Sequence, residues 1–178
     1  MKFDQYSIRL IEFSDLPAYF KLIDENRERL ETFFAGTTAI TRTLEETEIR
    51  LKDIINRNKD KNYFSFVVTD QSTGNLVASI QVKSLDWNVP KAELGYYIDR
   101  KYEGKGITTK ALTKIIRFCF DDLQLNKLYI RTHEENISSR KVAERNGFTL
   151  EGTIRKDYMT TDGRLVDLMY YGLVREGE

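Results

Sequence analysis

Apolar residues along the chain recur at two different spacings, and the switches between them mark the elements. Residues 7–13 set Ile8 and Leu10 on one face, the period-two pattern of a strand. Ser14 and Asp15 then form a helix start. Pro17 fits the first turn that follows, and Leu16, Phe20, Ile23 and Leu30 continue at amphipathic helical spacing. A second helix fits 44–58 through Leu44, Ile49, Leu51, Ile54 and Ile55, with FFAGTTAITRT between the two reading as a loop. YFSFVVTD and LVASIQVKSLDW, joined by QSTGN, predict an antiparallel hairpin, and 92–98 a third strand of the same meander.

From Ile107 the pattern turns helical again. Ala111, Ile115 and Cys119, with Leu112, Ile116, Phe120 and Leu123, draw a broad apolar face over about four turns, so this helix must lie flat on a sheet. KLYIRTH reads as a strand and NISSRKVAERNGF as a short helix closed by Asn146 and Gly147. Strands at 153–160 and 165–173 flank a TTDGR turn. The order predicts an α/β fold, a mixed and mostly antiparallel sheet of about seven strands flanked by about four helices. The long crossover helix makes the strands on either side of it parallel. With no repeat and no internal boundary, 1–178 is expected to be a single domain.

Composition narrows the partners. Lys plus Arg and Asp plus Glu both number 28, so no net field draws in nucleic acid or an acidic membrane surface. No apolar run approaches the roughly 18 residues of a membrane span, and a soluble, cytoplasmic protein is expected. One cysteine, Cys119, and one histidine, His133, exclude an internal disulfide and leave no metal-ligand cluster. Apolar residues of the last strand that would face solvent predict a homodimer.

The candidate chemistry lies in RKYEGKGITTKAL, residues 100–112. A strand that ends in a glycine turn and enters a helix directly gathers unpaired N–H groups in one concave spot, where the helix dipole adds positive potential. Gly104 and Gly106 let the backbone curl round an anion, with Lys101 and Lys105 nearby. The P-loop form fails because Gly104-Lys105 runs into Gly106 and not into Ser or Thr. The dinucleotide fingerprint fails because Thr109 stands where its third glycine belongs.

AELGYYIDRKYEGKGITTKAL followed by NISSRKVAERNGFTLEG resembles the two signature regions of the GCN5-related N-acetyltransferases (GNAT), especially their ribosomal-protein N-terminal branch. The resemblance implies acetyl-CoA as cofactor and direct acetyl transfer to a primary amine. The favoured acceptor is the α-amine of a protein such as a ribosomal protein, with polyamines and aminoglycosides as alternatives and a non-catalytic acyl-CoA binder as the competing class. The family loop Arg/Gln-x-x-Gly-x-Gly/Ala falls on Lys101, Gly104 and Gly106, with Lys in place of the usual Arg or Gln. Amides from Lys105 through Ile107, Thr108 and Thr109 are then expected to bind the diphosphate. Tyr97 and Ile98 are expected to pair with the pantetheine arm beside a bulge that frees an oxyanion donor.

The same resemblance makes Glu93 a candidate base, Asn136 a pantetheine ligand and Ser139 the acid for the leaving thiolate. Each has a plainer account: Glu93 as a half-exposed strand carboxylate, Asn136 as a helix cap. Tyr158 and His133 are weaker candidates for proton transfer. Residues 33–43 and 153–167 are expected to carry acceptor choice. Arg140 and Lys141 either reach the cofactor's 3′-phosphate or form a solvated helix face.

Overall fold

A computed structural model describes residues 1–175. Its single sheet has eight strands in the order β1-β2-β3-β4-β5-β6-β8-β7. In chain order these are β1 (Lys2–Phe3), β2 (Tyr6–Leu10), β3 (Phe64–Asp70), β4 (Leu76–Asp86), β5 (Lys91–Ile98), β6 (Lys127–Thr132), β7 (Thr149–Met159) and β8 (Leu165–Val174). All neighbours are antiparallel except β5 and β6. That exception follows from α5 (Ile107–Arg117), which carries the chain from one end of the sheet back to the other.

The alternating faces of the central strands build two cores. Ile80, Leu94 and Tyr96 pack with Ala111, Leu112 and Ile115 of α5 on one face. Val67 and Tyr97 pack on the other against α1 (Leu16–Asp24) and α4 (Leu44–Lys59), through Tyr19, Ile23, Leu51 and Ile54. Each fully buried Leu or Ile contributes roughly 1.5–3 kcal/mol. The helix expected to run from Leu16 to Leu30 is broken at Asn26, which is buried and turns its side chain back to the Leu22 carbonyl at 2.9 Å. The chain restarts as α2 (Arg27–Phe33). The expected loop after it contains a single helical turn and a half, α3 (Ala35–Ala39), secured by Arg27 donating to the Thr38 and Thr41 carbonyls at 3.2 and 2.6 Å. These two pieces and the two-residue β1 account for the surplus over the expected element count. Ile49, assigned to the apolar face of α4, is 70% exposed, and Leu51 and Ile54 carry the packing.

The last helix, α6 (Ile137–Arg145), ends at Gly147, whose φ of +83° is the left-handed conformation that a helix stop requires. After Arg117 the long helix widens into a π turn, Phe118–Asp122, which keeps Cys119 fully buried. Burial pushes the Cys119 thiol up to about 12. The thiol is therefore expected to resist iodoacetamide at pH 8 in the native protein and to react stoichiometrically once guanidinium unfolds it; mass spectrometry distinguishes the two states.

Candidate active site

β5 and β6 pair over only three residues, Lys91↔Lys127 to Glu93↔Tyr129. Beyond Glu93, β5 continues along β4 while β6 continues along β8, so a wedge opens in the middle of the sheet. Peptide groups along a strand alternate between its two neighbours. The Asp99 N–H donates to the Val77 carbonyl at 2.8 Å, across β4. By that alternation Tyr97 also turns its peptide to β4, while Tyr96 and Ile98 turn theirs into the wedge. The β4–β5 register is unbroken from Ala78↔Ile98 to Lys83↔Glu93, and its irregularity falls at Lys83/Asp86. The expected bulge at Tyr97 and Ile98 is thus absent: Tyr97 keeps its peptide on β4 and is not free to pair with the pantetheine arm as expected, and strand separation is what frees the Ile98 N–H.

Two cavities occupy the wedge. The first, about 490 Å³, lies beside the glycine turn and is lined by Tyr97, Ile98, Gly104, Gly106, Ile107, Thr108, Thr109 and Asn136 among others. Gly104 and Gly106 have φ of +73° and +72°, and a Cβ on either would meet no protein atom within 4 Å. Glycine is therefore required by the backbone conformation, and any side chain added at Gly106 would stand in open space at the cavity wall. The first intrahelical bond of α5 is Lys110 N–H to the Gly106 carbonyl, so the amides of Ile107, Thr108 and Thr109 lack helical acceptors. This arrangement fits a diphosphate. Lys101 and Lys105 do not line the cavity. The Lys101 ammonium pairs with Glu25 at 2.9 Å and that of Lys105 lies 4.8 Å from the centre of the Tyr102 ring.

The second cavity, about 500 Å³, lies beside the first. Its walls include Phe34, Gly36 and Thr37 from the α2–α3 segment, Glu93 and Gly95 from β5, and Tyr158 from β7. The two cavities share Phe33, Phe34, Tyr96, Glu135, Asn136 and Ser139. At that shared wall Asn136 caps α6, its side chain accepting the Ser139 N–H at 3.1 Å. The Tyr96 hydroxyl donates to the Ser139 carbonyl at 2.9 Å and lies 3.1 Å from Ser139 Oγ. Burial raises the Tyr96 phenol well above its ordinary range, partly opposed by the Ser139 bond, so it remains a protonated donor.

Glu93 is 4% exposed, not half-exposed, and lies at the vertex of the wedge. Its Oε1 faces the Lys83 ammonium at 3.2 Å, and its Oε2 accepts from Arg131 at 2.9 Å. Arg131 in turn reaches Asp157 at 3.1 Å, so the network ties β4, β5, β6 and β7 together. The Tyr158 hydroxyl accepts the Ala35 N–H at 2.7 Å, and burial raises its phenol. His133 also lines the second cavity, its Nδ1 accepting the Glu135 N–H at 3.3 Å. Arg140 is engaged with Tyr171 and the Glu134 carbonyl, whereas Lys141 lines the first cavity.

Phe33 and Phe34 fall in the 33–43 stretch expected to carry acceptor choice, whereas Tyr96 and Arg29 are wall residues that the sequence did not single out. Only Tyr96 carried a signal, since strand alternation sets it opposite Glu93 and therefore toward α6.

Residues 7–149 match the model of the acetyltransferase (GNAT) domain. The putative ribosomal N-acetyltransferase YdaF of Bacillus subtilis is 37% identical over 98% of this chain and 96% of its own. Among solved structures, the ribosomal-protein-S5-alanine acetyltransferase of Vibrio fischeri superposes with a TM-score of 0.91 at 24% identity, covering 98% of this chain and 95% of that one. RimL, a ribosomal L7/L12 α-N-protein acetyltransferase solved in complex with coenzyme A, gives 0.89 at 20% identity, covering 96% and 94%. Family match and full-length relative agree with the wedge and its glycine turn: the chain belongs to the GNAT acetyltransferase family and is an acetyl-CoA-dependent N-acetyltransferase.

Proposed function

We propose that the acceptor is the N-terminal α-amine of a protein such as a ribosomal protein. The observation that carries this reading is the full-length relative named a putative ribosomal N-acetyltransferase. The second cavity agrees with it. Its charged lining comprises Arg50, Lys83, Arg131 and Arg164 against Glu93, Glu134 and Glu135, four cations to three carboxylates. A polycationic amine gains nothing from such a wall.

Acetyl-CoA supplies an activated thioester, and the chain's residues have to position it, collect a proton from the amine and return one to the thiolate. In this proposal the amides of Gly106 through Thr109, with Gly104, hold the diphosphate. Ile98 pairs with the pantetheine arm and Asn136 contacts it from α6. Glu93, directly or through water, takes the amine proton, and Ser139 stands by the leaving sulfur with Tyr96 as its hydrogen-bonded neighbour.

Thiol release measured against peptides with short N-terminal residues, spermidine and an aminoglycoside tests the acceptor. A peptide is expected to exceed spermidine by at least about tenfold in kcat/KM, and the reverse order would reject an N-terminal substrate. Glu93→Gln should lower kcat by about a hundredfold or more and leave the CoA Kd unchanged. Gly106→Val is expected to abolish measurable CoA binding in calorimetry, since a β-branched residue resists that φ and its side chain enters the cavity.

A further inference from the structure

Arg29, on α2, lies outside both signature segments yet lines the first cavity. Its guanidinium is tied to the far side of the glycine turn. Nη1 donates to Glu103, and Nη2 to the Asn26 side chain at 3.2 Å and to the Ile98 carbonyl. Asn26 completes the tie by accepting the Arg100 N–H at 2.9 Å. An arginine has five N–H donors, and three are accounted for here. One of the remainder, Nε–H, is shut off from solvent with no acceptor among the described residues. Leaving such a donor unmatched is costly, and the side chain is still 33% exposed beside the cavity.

Arg29 therefore stands at the cavity wall between the strand end and the glycine turn with Glu103, Asn26 and Ile98 as acceptors and one Nη1 N–H still unassigned. Glu103 neutralises its charge but also sets a negative charge beside a cradle meant for phosphate. We propose that Arg29 is a phosphate-binding residue of the cofactor site. The remaining Nη1 N–H is the donor offered to the cofactor diphosphate, while Glu103 and Asn26 keep the fork oriented. α2 continues through Phe33 and Phe34 into α3, one wall of the acceptor cavity. Cofactor arrival thereby firms the acceptor wall.

This inference rests on the proposed diphosphate cradle, and calorimetry with CoA and with phosphate-free pantetheine separates the two. Arg29→Gln should weaken CoA by about tenfold or more and leave pantetheine within about twofold. Arg29→Lys, which keeps the charge without the fork, should fall between. Unchanged CoA affinity in both variants, or equal losses for the two ligands, overturns the role of Arg29. If Gly106→Val also binds CoA normally, the cradle itself is wrong. In hydrogen exchange, CoA should slow the amides of 27–39 in the wild type and not in Arg29→Gln; no slowing in the wild type rejects the coupling to the acceptor wall.

Discussion

The parting of β5 from β6 after Glu93 is the constraint on which the site depends. A ladder that ran the full length of both strands would satisfy every peptide group and leave no room between them. Because pairing stops early, Tyr96 and Ile98 turn backbone groups away from β4 into the gap, where Arg29 takes up the Ile98 carbonyl, and both cavities form where the sheet is missing. The same separation brings the start of α5 and the start of α6 to opposite sides of one gap. Their amides and caps then face a common volume, with α5 supplying unpaired N–H groups and α6 supplying Asn136 and Ser139.

A gap in a sheet has to be prevented from closing or spreading. Glu93 does this at the vertex through two cations, and removing either partner would leave a buried charge under-compensated, a large cost in a desolvated setting. If the same carboxylate also collects a proton from the amine, one side chain answers to two demands, geometry and proton transfer. Toward the open end, Asn26, Arg29 and Arg100 hold α2 against the strand end and the glycine turn. The polar groups around the wedge therefore act first as braces, and their chemistry builds on positions that the braces determine.

Much of this was legible in the residues. Periodicity located the long helix, the meander and the closing hairpin. The two glycines before Ile107 announced positive φ and a phosphate-sized hollow, and alternation assigned Glu93 and Tyr96 to opposite faces. What escaped was set by contacts between distant segments. Asn26 breaks a helix that its neighbours would continue, because its amide meets Leu22, Arg29 and Arg100 at once. No local pattern reports that Lys101 prefers Glu25 to the cavity, or that Arg29 reaches Ile98 across 69 positions. The expected bulge failed for a related reason: a strand can free its backbone by losing a neighbour, and that loss is a property of the whole sheet.

The bond from Ala35 to the Tyr158 hydroxyl joins two walls of the second cavity, α3 and β7, that lie 123 positions apart in the chain. Such a bridge fixes the spacing of α3 from β7, so the second cavity has a span set by one hydrogen bond and not by either element alone. Loss of the Tyr158 hydroxyl would let the two walls move independently and leave the Ala35 N–H without its acceptor.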